Sequence, residues 1–294
     1  MPRAAKLTGT SAILLAALLW SSGGLFIKLA PMPGLLVVAG RALVTSVFYF
    51  AVLKPDLRRA SWRTAVAYAG MILTFVCATK LTTAANAIVL QYTGTAWVLV
   101  LAPRLLGEQL RRIDVVTVLA CLGGVALCMT DEPPSLATLP HAAAGNVLGA
   151  VSGLFYAATV VGMRRDARPG TQHDAQASVT LGNLLAMLIA LPLSLGDLPR
   201  LASWRSVLVL LWLGLLQMGV SYLLFLRGLR TVPAVTATLL ALLEPAALPL
   251  WVLLGTGERP GMGSMAGGAV VLGALAGRAL WLARLAPQVP TTSG

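Results

Sequence analysis

The sequence predicts an all-α integral membrane protein of ten transmembrane helices, arranged as two inverted five-helix repeats. Three observations carry this expectation. Hydrophobic residues make up 57% of the 294-residue chain and charged ones only 11%, too little charge to cover a water-facing surface. Ten apolar stretches, each near the roughly 20 residues needed to cross about 30 Å of hydrocarbon, occupy most of the length. Motifs also recur: Leu106-Gly107-Glu108 returns as Thr256-Gly257-Glu258 and Leu122-Gly123-Gly124 as Leu272-Gly273-Ala274, both 150 positions later. Gly9 with Trp20 is echoed by Gly145 with Tyr156, each pair 11 residues apart. An odd number of spans per repeat places the second copy upside down, an arrangement that secondary transporters use with their site between the copies.

The spans are expected at Thr8 to Ala30, Gly34 to Leu53, Ala65 to Thr79, Thr83 to Leu101 and Asp114 to Thr130 in the first repeat, residues 1–137. In the second, residues 138–294, they are expected at Ala142 to Val161, Ala175 to Ser194, Ser206 to Leu226, Val232 to Leu254 and Met262 to Ala283. The first span is long and has no good small-x-small cleavage site before a soluble domain, so it reads as a retained helix rather than a secretory signal.

Lys and Arg are held back on the cytoplasmic side of short loops, which fixes the orientation. With the amino terminus inside, 16 of the 22 basic residues collect on the inner face, leaving Lys28, Lys80, Arg200, Arg205 and Arg259 outside and Arg41 within the second span. Both termini are then cytoplasmic, in a bacterial-type inner (plasma) membrane. The net charge of +12 is spread as small clusters at helix ends, which suits anionic lipid headgroups. A nucleic-acid partner would need one concentrated soluble face, and none is expected.

Cys77, Cys121 and Cys128 lie in apolar segments with no metal or redox spacing, and His141 and His173 are each alone in a loop. No metal and no cofactor are assigned. Gly145, Gly149 and Gly153 recur every four residues in the sixth span, and Gly263 with Gly267 and Gly273 with Gly277 do so in the tenth. These spacings predict seams where helix backbones approach closely. Ser21-Ser22-Gly23-Gly24, after Trp20, is rich enough in small polar residues to loosen the first helix or line a cavity.

Polar groups inside a span locate the aqueous path, because each is costly without a partner or water. Asn86, Thr93 and Trp97 fall within about 40° of one another at 100° per residue, so the fourth span is expected to turn one polar and aromatic stripe toward a cavity. An interhelical hydrogen-bond seam is the alternative. Gln91 and Tyr92 point elsewhere, to a second cavity wall or a neighbouring helix. Tyr156, Gln217 and Tyr222 are further aromatic or amide groups at mid-depth. Trp62, Trp204 and Trp281 stand near span ends, as interfacial anchors do.

Glu244 is the one carboxyl deep in any expected span, followed by Pro245 and, a turn later, Pro249. Pro245 has no N–H for the Ala241 carbonyl, so a kink with exposed backbone acceptors is expected there. Such an acid either binds a proton or a substrate ammonium, or stabilises the kink as a protonated or Arg-paired side chain. Arg41 either snorkels to the outer interface or pairs with Glu244 or a substrate carboxylate. Lys80, at the outer end of the third span, is placed for an entrance or gate.

The chain resembles a ten-helix member of the drug/metabolite transporter superfamily, of the EamA type. The likeness rests on Gly9 through Trp20-Ser21-Ser22, on Arg41, and on Leu81-Thr82-Thr83-Ala84-Ala85-Asn86 leading to Leu106-Gly107-Glu108. In the second half it rests on Gly145 through Phe155-Tyr156 and on Tyr222 through Leu243-Glu244-Pro245 to Gly257-Glu258. One departure is that the family often has proline 13 residues before the Gly-Glu glutamate, as Pro245 stands to Glu258, whereas the first half has Thr95 there. The ninth span's kink is therefore not expected to be mirrored in the fourth.

The resemblance implies export of small metabolites, amino acids among them, and the aromatic amino-acid exporters are the most similar subgroup. Alternating access between the two halves is the expected mechanism. Trp20, Trp97 and Tyr156 would offer apolar and cation-π surface, Asn86, Thr93 and Gln217 hydrogen bonds, and Glu244 or Arg41 charge. Ser22 and Tyr222 complete the expected binding set, with Arg41 and Lys80 as charge-pairing or gate residues. The expected partners are a small-molecule substrate and membrane lipid, and a monomer suffices. A carrier of phosphorylated or nucleotide-linked metabolites ranks second, since such anions ask for several Lys or Arg at the site. An enzyme is disfavoured, because no nucleophile with its base, no metal cluster and no paired carboxylates stand out.

Overall fold

The computed structural model describes residues 8–128, 130, 140–247, 251 and 262–285, and every regular element among them is helical. The first half contains α1 (Gly9–Ser21), α2 (Gly23–Leu29), α3 (Gly34–Val52), α4 (Trp62–Leu81), α5 (Ala84–Tyr92), α6 (Gly94–Leu106) and α7 (Arg112–Cys128). The second contains α8 (Ala142–Asp166), α9 (Ala175–Ala190), α10 (Trp204–Leu211), α11 (Ser221–Leu229), α12 (Ala234–Ala241) and α13 (Met262–Leu285). A 3-10 stretch, Pro192–Ala202, follows α9, and a π-helical segment, Trp212–Val220, joins α10 to α11.

Seven of these helical stretches are long and apolar enough to cross a membrane, and an eighth qualifies if Ala175–Ala190 and Pro192–Ala202, bent by 89°, form one span. Two other helices, Arg112–Cys128 and Ala234–Ala247, are shorter. Half-exposed Leu and Val side chains cover the outside of the bundle, the inverse of a water-soluble surface. Trp62, Trp204 and Trp281 are exposed, and Arg63 and Arg205 lie over the first two rings at 5.6 and 5.7 Å.

Several expected spans are interrupted, each with a chemical cause. At the α1/α2 junction the Ser21 and Ser22 hydroxyls donate to the carbonyls of Leu18 and Leu19, competing with the helical ladder. Between α5 and α6 the Thr93 hydroxyl donates to Leu90 O at 2.6 Å. The fourth span is thus interrupted although it lacks the proline, while Asn86–Leu106 still runs as one membrane-length helix. In the ninth, α12 ends at a turn on Leu242, three residues before Pro245, and helix resumes at 243–247. Residues 252–261, which carry Gly257 and Glu258, lie outside the described residues, as does Pro249.

The π segment widens the eighth span's turns, and several of its carbonyls also accept from side chains. The Thr45 hydroxyl on α3 donates to Gly214 O, and the Tyr49 hydroxyl lies 3.3 and 3.1 Å from the carbonyls of Met218 and Gly219. The Ser221 hydroxyl donates to Gln217 O.

Helix α8 is the hub, packed along α4 on one side and α5 and α6 on another. Its glycines form the expected seam: a Cβ on Gly145 would meet Thr82, one on Gly149 Leu90, and one on Gly153 the carbonyls of Leu90 and Gln91. From the other side, a Cβ on Gly94 would collide with the Gly153 carbonyl, so two backbones touch here. In the last helix the expectation fails in part. Gly267 packs on Gly124 of α7, but Gly273 and Gly277 have nothing within 4 Å, so they make no seam among the described residues.

The Gly-Glu motif has a definite geometry in the first half. Gly107 ends α6 in the left-handed conformation, φ 64°, which a glycine adopts without a Cβ clash. That turn sends Glu108 back to the second half, where it accepts the Ala234 N–H at the start of α12 at 2.8 Å and Arg164 Nε at 2.9 Å, with Arg168 at 3.5 Å. Arg164 also donates to Leu229 O. Nearby, Asp114 of α7 pairs with Arg278 of α13 at 2.7 Å, and Arg278 donates to Thr236 on α12. Glu108 and Asp114 thus anchor a charge clamp between the halves.

Candidate functional site

A small cavity lies within the bundle. It is lined by Trp20 of α1, Arg41 of α3, Met71, Ile72 and Phe75 of α4, Gln91 of α5, Tyr156 of α8, Gln217 and Met218 of the π segment, Tyr222 of α11, and Glu244. Its free space of about 30 Å³ is room for one or two waters, less than any metabolite needs. The walls nevertheless carry two ionisable side chains, Arg41 and Glu244, together with several polar ones.

Arg41 is fully buried, and none of its three guanidinium nitrogens has a hydrogen-bond partner among the described residues. The indole nitrogen of Trp20, the Tyr156 hydroxyl and the Gln217 carbonyl oxygen are buried and unpartnered as well. Buried polar groups in folded proteins are nearly always paired, and an uncompensated buried charge is the most expensive exception. Four such side chains around one cavity make a site built for something that supplies their partners. Arg41 presents donors, and Gln217 an acceptor.

Glu244 forms the opposite pole. The Tyr92 hydroxyl lies 2.6 Å from Glu244 Oε2 and 2.9 Å from Ala241 O, the carbonyl that Pro245 leaves without its amide. One hydroxyl hydrogen serves one of these two acceptors at a time. Tyr92 therefore joins the end of α5, beside the Thr93 interruption, to the turn in α12. Arg41 and Glu244 share the cavity without an ion pair between them.

Aromatic rings hold the two poles in place. Trp20 contacts Tyr222 and Phe225, each with centroids 4.9 Å away, Tyr222 meets Tyr68 edge-on at 5.0 Å, and Tyr156 meets Tyr92 at 5.5 Å. These tilted and edge-to-face arrangements are the favoured ones. Gln91 is tied back from its cavity position, its amide donating to Ser152, whose hydroxyl donates to Met71 O.

The cavity thus brings together Trp20, Arg41, Tyr156, Gln217, Tyr222 and Glu244 from the expected set, and five others stand elsewhere. Ser22 is not on the wall: its hydroxyl donates to Leu19 O and accepts the Trp212 indole N–H at 3.0 Å, while Ser21 accepts that of Trp251 at 2.6 Å. The expected stripe on the fourth span does not line the cavity. Trp97 is 48% exposed on the outside of the bundle, because the interruption at Thr93 and the tight α6–α8 contact at Gly94 and Gly153 set the orientation of α6. Thr93 bonds within its own turn, and Asn86 sits with Thr82 and Asn146.

Lys80 is anchored at the α4 terminus, donating to Ala30 O at 2.8 Å, while Lys28 donates to Thr82 O at 2.5 Å, so two lysines cross between these helix ends. Met71, Ile72, Phe75 and Met218 also line the cavity, and no local signal marks them, since they are apolar side chains identical in type to core residues. Among the described residues no cluster of three or more His, Cys, Asp or Glu could hold a metal ion.

The comparisons with known proteins agree on a class. The model of the EamA-like transporter family matches residues 7–130 and 143–278. An "uncharacterized transporter" of Archaeoglobus fulgidus is 31% identical over 205 residues, which is 68% of this chain and 69% of that protein. A solved crystal structure, 21% identical, superposes with a TM-score of 0.74 over 95% of this chain and 98% of its own, a likeness of fold. The chain is therefore a multi-pass membrane transporter of small solutes, and it belongs to the EamA-like transporter family.

Proposed function

We propose that this transporter exports small zwitterionic metabolites, amino acids including aromatic ones, across the inner membrane by alternating access of two inverted five-helix halves. The observation that carries the substrate class is the two-pole cavity, with an unpaired buried guanidinium at Arg41 and a carboxyl at Glu244. An α-carboxylate answers Arg41 with a charge-assisted, bidentate contact, and an α-ammonium answers Glu244 among the rings of Tyr92, Tyr156 and Tyr222. Trp20, Phe75 and Tyr222 give an apolar side chain a surface to lie on. A phosphorylated substrate suits this cavity less: it holds one cation, and Glu244 would repel a dianion.

The helix pairings support ten spans in two inverted halves, residues 1–137 and 138–294. Exchanging first for sixth span, third for eighth and so on maps the α4–α8 packing onto α1–α11, and α5 and α6 on α8 onto α12 on α1. It leaves α3–α9 and α7–α13 as self-equivalent pairs. The family model's match to two successive stretches is in keeping with this. The basic clusters at one end favour cytoplasmic termini. In this reading the clamp at Glu108 and the crossed lysines close the two ends, and the cavity widens when one of them parts.

The test is uptake of a labelled amino-acid panel by liposomes reconstituted with the full chain, with and without a pH gradient. Saturable flux of amino acids, lost when either the carboxylate or the ammonium is blocked as an ester or an N-acetyl group, is the expected result. Transport indifferent to both blocks overturns the two-pole assignment.

A further inference from the structure

A second feature lies away from the central cavity, at the basic end of the bundle. Helix α3 runs against the π segment through Thr45 and Tyr49 but ends at Val52, so the face of α11 beyond Gly219 is left without that neighbour. The resulting groove, of about 640 Å³, is lined by apolar Leu53, Val220, Leu223 and Leu224 and ends in Arg227 and Arg230, with Gln176 and Thr231 beside them. One wall is fixed by the close crossing of α1 and α11, where Gly9 and Gly228 approach each other.

Charge decides what this groove accommodates. Four other arginines at this end are committed to carboxylates, Arg164 and Arg168 to Glu108, Arg165 to Asp166, and Arg278 to Asp114, whereas Arg58, Arg59, Arg104, Arg111 and Arg112 are exposed but stand outside the groove. Arg227 and Arg230 are exposed and have no side-chain hydrogen bond or ion pair among the described residues, and no acid lines the groove with them. A trough for an acyl chain that opens onto two unneutralised guanidiniums at the membrane edge is complementary to one class of molecule.

We infer that this groove binds an anionic phospholipid, its phosphate on Arg227 and Arg230 and one acyl chain along Leu53, Val220, Leu223 and Leu224. The lipid fills the space left by the end of α3 and braces α11 against the π segment. The assignment is independent of the transported substrate, since none of these residues lines the central cavity.

Native mass spectrometry of the purified full chain, after exchange into micelles containing equal phosphatidylglycerol and phosphatidylcholine, provides the test. The wild type is expected to retain phosphatidylglycerol preferentially, and Arg227→Gln/Arg230→Gln to reduce that retention roughly tenfold or more. Arg112→Gln, at an exposed arginine away from the groove, should leave it unchanged. Leu224→Trp keeps both charges but blocks the trough, and should also lower retention. Equal retention of the two lipids by the wild type overturns the proposal. So does retention unchanged in both groove variants, or displacement of the lipid by millimolar inorganic phosphate, which would mark a plain anion site.

Discussion

The clamp at Glu108 and the central cavity use the same side-chain chemistry in opposite ways. Around Glu108, one carboxylate meets two arginines and a helix-terminal N–H, and Arg164 is further bound to a carbonyl. Around the cavity, Arg41 has no partner, and the polar atoms of Trp20, Tyr156 and Gln217 wait likewise. A saturated network holds helices together, whereas an unsatisfied one destabilises the empty protein and is relieved by a ligand. Burial alone does not separate the two regions. The count of unmet hydrogen bonds does.

Mutations that remove one charge from each region should therefore move stability in opposite directions. Glu108→Ala leaves part-buried Arg164 without its acid and the Ala234 N–H without its acceptor, and is expected to cost about 2 kcal/mol, read as a lower unfolding midpoint in detergent. Arg41→Met removes a charge that has nothing to lose. It should leave the midpoint equal or higher, while flux into liposomes falls about a hundredfold. A drop in midpoint as large as that of Glu108→Ala would mean that Arg41 is a structural residue.

The contrast sharpens within one residue type. Trp20→Ala strips a ring from the cavity wall and should reduce flux about tenfold, whereas Trp97→Ala, on the half-exposed outer face, should change it less than twofold. Equal losses in the two variants would return Trp97 to the substrate path. A modest effect, on stability alone, is expected at Gly107→Ala, where a Cβ meets nothing within 4 Å but the left-handed backbone costs about 1 kcal/mol. That loss should appear in the midpoint and leave amino-acid affinity at the cavity unchanged.

Much of the helical framework was legible because its signals are local. The α8 glycines read as a seam and formed one, and the Ser21-Ser22 run interrupts the first helix as its hydroxyls allow. That Arg41 and Glu244 lie buried at one cavity was legible because a charge inside an apolar span has to turn away from lipid. The Asn86–Thr93–Trp97 stripe went astray because it assumed an unbroken 100° helix, and Thr93 itself interrupts the ladder. Ser22 was assigned to the cavity because no local pattern could reveal a tryptophan 190 residues later reaching its hydroxyl. Met71, Phe75 and Met218 line the site through tertiary placement alone, and the π segment has no periodicity that distinguishes it from an α-helix.

Trp212 sets its indole N–H on Ser22 at the first helix's interruption and stacks on Phe26 with centroids 5.1 Å apart. It thus spans the α1/α2 junction from the π segment of the other half. An indole whose emission colour depends on that hydrogen bond makes the junction visible to light. In a variant that keeps only Trp20 and Trp212, the substrate-dependent emission shift that disappears on Trp212→Phe would report the junction, with the cavity wall intact and no label attached.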